Sequence, residues 1–160
     1  LTRCHTLVLG IGNTLLSDEG AGVHALEYLR SHYPDIPGVH YLDGGTLSFT
    51  LAGEIEDAEN LIVIDAAQLG APAGTVRCMT GKVMDRFLGQ GKRSVHEVGL
   101  LDLMDIARLT EAFPRHRALI GIQPDVFGWG EAPSTPVCQA FPEVAAQALN
   151  LIEQWGCSSD

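Results

Sequence analysis

The feature that most constrains this chain is a short run at positions 61–65, LIVID, in which four apolar residues in a row close on an aspartate. Its length and its β-branched residues make it a strand, and the lack of alternation makes it a strand buried on both faces. Such a strand needs helices above and below a largely parallel sheet. The rest of the chain supplies them. Further strands are expected at 6–11, 39–43, 74–79 and 118–122, and helices at 21–31, 47–56, 83–88, 95–109 and 142–154. Segments 90–94 (QGKRS) and 123–136, the latter rich in Pro and Gly, read as loops, and 156–160 as a frayed tail. The fold class is therefore α/β, in one domain spanning residues 1–160. One link breaks the βα alternation. AAQLGAPAG, between the third and fourth strands, is too short for a helical crossover, so the fourth strand is expected to be antiparallel, hairpin-like, at or near an edge.

Composition narrows the function. Hydrophobic residues make up 46% of the 160 residues and charged residues 19%, against roughly 25% charged in an average soluble protein. That balance suits strands covered on both faces and argues against disorder. A net charge of −10 argues against nucleic acid as a partner and against docking on anionic lipid. No apolar run approaches the length of a membrane span. The N-terminus lacks a signal-peptide cleavage site, and a cytoplasmic location is expected. Cys4, Cys78, Cys138 and Cys157 include no C-x-x-C pair and read as reduced, buried thiols.

In open α/β sheets, ligands bind beyond the carboxyl ends of the parallel strands. The residues there are Gly12-Asn13 and Ser17-Asp18-Glu19 after the first strand, Asp43-Gly44-Gly45-Thr46 after the second, Asp65 closing the third, and Gln123-Pro124-Asp125 after the fifth. Ser94-Val95-His96-Glu97 has the form of a capping box before an apolar helical run. That helix would start at the same rim, with His96 in its first turn. The positive end of a helix disfavours imidazolium, and neutral imidazole is the metal-binding form. Glu19, Asp65 and His96 thus form a set suited to a borderline divalent metal such as zinc or nickel.

Each piece also has a plainer reading. Asp18 and Glu19 suit the N-terminus of the first helix through its dipole, Asp65 suits an N–H cap, and His96 a solvated surface. His24 and His116 read as solvated residues on or near helices. Lys82, Arg86, Lys92 and Arg93 read as a solvated basic face, with an acidic partner as the alternative. G-x-G-x-x-G fails at Leu15, and G-x-S-x-G, the P-loop pattern and H-E-x-x-H are absent. No Ser or Cys stands beside a His at a strand end, which leaves nucleophilic triads unsupported.

Taken together, LVLGIGNTLLSDEGAGVHALEYL, YLDGGT, LIVIDA, SVHEVGL and IGIQP occur in one order along nearly the whole chain. In this the sequence resembles the nickel–iron hydrogenase maturation endopeptidases. The resemblance implies a phosphorylase/hydrolase-like three-layer α/β/α sandwich around a five-stranded, mostly parallel mixed sheet with one antiparallel strand. It implies an endopeptidase that removes a C-terminal extension from the hydrogenase large-subunit precursor after nickel insertion. Glu19, Asp65 and His96 match the family's metal-contacting positions. Asp43 matches a position linked to activity and substrate handling, and Gly44, Gly45 and Thr46 complete that segment. The catalytic carboxylates would be Asp43 and Asp65. Nickel would arrive with the precursor, although zinc or another divalent metal suits the same ligands. No nucleic-acid partner and no membrane insertion are expected. The alternative is a nickel-sensing chaperone that binds the precursor without cutting it.

Overall fold

The computed structural model describes residues 5–46, 50–90 and 95–156, without the side chains of 95–98. The first strand, β1 (Thr6–Ile11), leads through a 3₁₀ turn (Ser17–Gly20) into α1 (Ala21–His32). Then come β2 (Val39–Gly45), α2 (Leu51–Asp57), β3 (Asn60–Ala66), β4 (Val76–Thr80), α3 (Gly81–Gly89), α4 (Val95–Leu109), β5 (His116–Ile122) and α5 (Thr135–Trp155). The five strands form one sheet in the order β2-β1-β3-β5-β4. All neighbours are parallel except β4, which runs antiparallel to β5.

Alternation along the central strands divides the core in two. Leu7, Leu9, Leu61, Val63 and Leu119 face α2, α3 and α4, meeting Ile55, Met84, Leu88, Leu100 and Leu103. Val8, Ile62, Ile64, Ala118 and Ile120 face α1 and α5, meeting Leu26, Leu29, Val144 and Leu151. Every residue of β1 and β3 is buried, as the unbroken apolar runs require. The result is the expected three-layer sandwich.

Three local expectations change. The fourth strand is antiparallel and at an edge, but its partner is β5 rather than β3, so no hairpin joins β3 to β4. The long crossover through α4 lays β5 beside β3 and leaves β4 only the outer position. The last helix begins at Thr135, seven residues before the Pro142 that the sequence offers as a start, because Pro136 already fills a first-turn site where its missing N–H costs nothing. Pro142 lies inside the helix. The buried-thiol reading also fails at Cys138, which is exposed, while Cys78 is half-buried; Cys4, Cys157 and the rest of the frayed-tail prediction beyond Gly156 lie outside the described residues. The same holds for 47–49 of the expected 47–56 helix and for 91–94 of the QGKRS loop. Among the described residues no helix is long and apolar enough to cross a membrane.

Candidate active site

The strand order reverses at β1. The chain leaves β1 for β2 on one side and returns to β3 on the other, which opens a crevice at the carboxyl ends of β1 and β3. Glu19 and Asp65 flank that point. Glu19 lies in the 3₁₀ turn after β1 and is half-buried, whereas Asp65 is the penultimate residue of β3 and fully buried. Two glycines permit this closeness. A Cβ on Gly12, whose φ is +139°, would overlap the Glu19 carbonyl oxygen. A Cβ on Gly22 would overlap the carbonyl oxygens of Ile64 and Ile11. The turn bearing Glu19 therefore packs directly on the end of β3.

By alternation with Leu61 and Val63, Asp65 points to the face covered by α4. That helix starts at the same rim. Its far end is at the opposite edge, where the Thr110 hydroxyl donates to Glu56 Oε2 at 2.8 Å, just before β3 begins. His96 is the second residue of α4. Its side chain, and the capping Ser94, lie outside the described residues. Among the described residues no three His, Cys, Asp or Glu side chains form a group able to hold a metal ion.

Asp43 is placed differently. Tyr41 belongs to the α1/α5 core and Leu42 packs on the opposite one, so Asp43 points to the α1/α5 side of the sheet, away from Asp65. It is exposed, and its Oδ1 accepts the Gly45 N–H at 2.8 Å. Asp43, Gly45 and Thr46 line a cleft of about 270 Å³ with Gly12, Asn13, Thr14, Leu15 and Val23. Gly44 faces the other way, where a Cβ would meet Leu9 Cδ1 at 2.8 Å. Gly12 N–H donates to the Gly45 carbonyl at 2.8 Å, tying the two rim loops together.

The residue least legible in the sequence is Asp18. It is no dipole partner for α1 but a buried anchor. Its Oδ2 accepts the N–H groups of Asp125 and Val126 and the Ser134 hydroxyl, each at 2.8 Å, and its Oδ1 accepts the Ser134 N–H at 2.6 Å. Burial by itself pushes the carboxyl up, but the N–H groups of Val126, Ser134 and Asp125, with the Ser134 hydroxyl, outweigh it and hold the pKa below its ordinary value. This clamp holds the loop after β5 against the rim. Ser17 reinforces it from a left-handed backbone (φ 52°), with its N–H on the Gly130 carbonyl at 2.9 Å and its hydroxyl on the Gly128 carbonyl at 3.0 Å. The loop presents Val126, Phe127 and Trp129 to solvent, Trp129 being 86% exposed. Gln123 is a second missed residue. Buried at the start of this loop, it accepts the Leu69 N–H at 2.6 Å and so fixes the segment after Asp65. The sequence signal for both was their place on the strand-end rim, but their partners are distant in the chain. His24 and His116 are likewise not simply solvated. Desolvation lowers the pKa of half-buried His24, and His116 lies in β5, stacked on Trp155 at 5.3 Å.

Comparison with known proteins places this geometry. The family model described as hydrogenase maturation protease matches residues 23–151. The hydrogenase expression/formation protein HupD of Thiocapsa roseopersicina is 37% identical over 153 residues, covering 94% of this chain and 68% of the relative. The hydrogenase 2 maturation protease of Escherichia coli is 38% identical over 123 residues, 74% of this chain and 73% of that one. Among solved structures, the hydrogenase maturating endopeptidase HybD from E. coli superposes with a TM-score of 0.89 at 30% identity, covering 95% of this chain and 94% of the other.

Proposed function

The chain belongs to the hydrogenase maturation protease family, and from that premise we propose that it is an endopeptidase cutting a C-terminal extension from the precursor of a nickel–iron hydrogenase large subunit. The observation that carries the reading is Asp65. This carboxylate is fully buried, next to last in a central strand, at the crevice and beneath the turn that bears Glu19.

In this reading nickel is part of the substrate, held by the precursor. Glu19, Asp65 and His96 would contact it, a donor set of two carboxylates and an imidazole that suits nickel and also zinc. The ion supplies Lewis acidity to a nearby carbonyl or water. The chain's own residues do the rest. Asp43, Gly45 and Thr46 line the cleft and would hold the peptide. Asp43, or the Asp65 oxygen not on the metal, would take the proton from the attacking water as general base. Asp43 suits that work in being exposed, with one oxygen oriented by the Gly45 N–H. The burial of Asp65 strengthens any interaction it makes with a cation.

The deciding experiment incubates the protein with its cognate precursor, nickel-loaded and nickel-free, and reads intact masses. Loss of a short C-terminal piece from the nickel-loaded form alone is expected. Complex formation with no mass change in either form would replace the protease reading with that of a precursor-binding chaperone.

A further inference from the structure

Seven large apolar side chains are substantially exposed among the described residues, and four of them share one place. Tyr33, Val83 and Leu109 stand singly, after α1, in α3 and at the end of α4, as scattered apolar residues on a surface commonly do. Leu15, Val126, Phe127 and Trp129 instead lie on two adjoining segments, the turn after β1 and the loop after β5. Leu15, Phe127 and Trp129 are each at least half exposed. The Gly130 N–H, on the peptide bond that follows Trp129, donates to the Leu15 carbonyl at 2.9 Å, which brings the Leu15 and Trp129 backbones together. The Asp18 N–H donates to the Val126 carbonyl at 3.1 Å and joins the other end of the patch to the same turn.

The patch is rigidly presented. Three backbone hydrogen bonds, one from the Ser17 hydroxyl and four to the Asp18 carboxylate tie the loop to the turn. Gly130 lets the two lie this close, since a Cβ there would stand 2.6 Å from Ser17 Oγ. Aromatic side chains held out on such a support meet a partner without the ordering cost of a mobile loop, and Trp is prominent among the residues that dominate protein interfaces.

The patch also runs into the candidate active site. Leu15 belongs to both, lining the cleft with Asp43, Gly45 and Thr46 while standing half exposed beside the Trp129 backbone. Glu19 lies in the same turn. A protein with one of its segments in that cleft therefore carries its body over this face, and that position decides between the possible occupants. A second copy of the chain seated here would lie across the mouth of the cleft and obstruct a protein substrate. Residues 123–134 include Asp125 and Glu131 and no Lys or Arg, in a chain of net charge −10, which disfavours an anionic membrane surface.

We propose that the face formed by Leu15, Val126, Phe127 and Trp129 is the docking surface for the folded body of the precursor, taking an apolar patch that borders the segment to be cut. The inference rests on the proteolytic reading for the identity of the partner, and on the continuity of the face with the cleft for its place. Phe127 and Trp129 hold the substrate here and take no part in breaking the bond.

The test uses the full chain and three readouts. Nickel-free precursor is titrated into dye-labelled protein by fluorescence anisotropy, and nickel-loaded precursor is processed under steady-state conditions. The chain's two tryptophans, Trp129 and Trp155, are labelled with 5-fluorotryptophan, and the Trp129→Phe variant assigns their ¹⁹F resonances. Precursor should shift the Trp129 resonance and leave that of Trp155 in place. Phe127→Ala and Trp129→Ala should each weaken binding about tenfold or more and raise KM similarly, with kcat nearly unchanged, and Trp129→Phe should keep most of the affinity. Melting temperatures should not move, since both side chains are mostly exposed. Precursor affinity and KM that ignore both alanine substitutions, or a loss confined to kcat, overturn the docking surface, whether the face then proves to hold a second copy, by sedimentation, or zwitterionic lipid, by vesicle co-sedimentation. Trp129-dependent binding of a nickel-loaded precursor that is never cut keeps the docking surface and removes the protease reading, and normal cutting that ignores Trp129 does the reverse.

Discussion

Replacing Asp18 with Asn tests how the rim is held together. The substitution is nearly isosteric, so packing changes little, but the electrostatics change at four hydrogen bonds. Three donors converge on Oδ2 and one on Oδ1. The amide oxygen can keep the trio, now without charge assistance. The amide NH₂ then faces the Ser134 N–H, donor against donor, and that bond is lost. A hydrogen bond to a charged group contributes about 1.5–3 kcal/mol and a neutral one about 1 kcal/mol, so losing one and weakening three costs at least about 3 kcal/mol at neutral pH. Denaturant unfolding should show a lower midpoint with an unchanged m-value. The pH dependence carries the mechanism. The folded pKa of Asp18 lies below its unfolded value, so its contribution is present in full above the unfolded pKa, near 3.8, and is lost as pH falls through the folded pKa. The gap between wild type and Asp18→Asn should therefore be constant from neutral pH down to about 5 and close progressively in stronger acid. A gap under about 0.5 kcal/mol at pH 7, or one that stays constant into acid, would refute the clamp.

Other expectations follow from the same geometry. His96→Ala and Asp65→Asn should each abolish processing of nickel-loaded precursor while far-UV circular dichroism stays native; normal processing by either variant would remove that residue from the metal-contacting set. Gly22→Ala should destabilise by several kcal/mol or prevent folding, since its methyl would overlap two strand carbonyls, and a soluble variant with an unchanged melting temperature would show that α1 can shift away. Asp85→Asn should cost about 1–3 kcal/mol, because it leaves the mostly buried Arg117 guanidinium without its bidentate carboxylate. The hydrogen bonds from Arg117 hold the Asp85 pKa below its ordinary value against desolvation, with Arg108 and Lys82 adding to the effect. The part of the stability due to Asp85 should thus also fade only as pH falls below the unfolded carboxylate range, readable as a converging pair of melting curves.

The α/β class was legible in local pattern. Apolar runs without alternation, as at 61–65, have few ways to hide both faces, and the shortness of the link after β3 forbids a helical crossover. Glu19, Asp65 and the first turn of α4 could be assigned to one rim because strand direction alone decides which end of each element is which. Glycines in the same motif, Gly12 and Gly22, had no visible purpose until the turn after β1 was seen resting on the end of β3. The sequence placed Asp43 on the same rim as Asp65, and the pleat then sent the two carboxylates to opposite faces of the sheet.

What the chain determined by itself, then, is whatever depends on neighbours within a few residues: strand and helix periods, the burial of β1 and β3, and the order of strand ends. Tertiary structure alone decided that β4 lies beside β5 and that Asp18 clamps residues more than a hundred positions away. The physical reason is that hydrophobic periodicity is a property of short segments, whereas a buried carboxylate is satisfied by whichever donors the packed layers bring to it, and no local pattern names them.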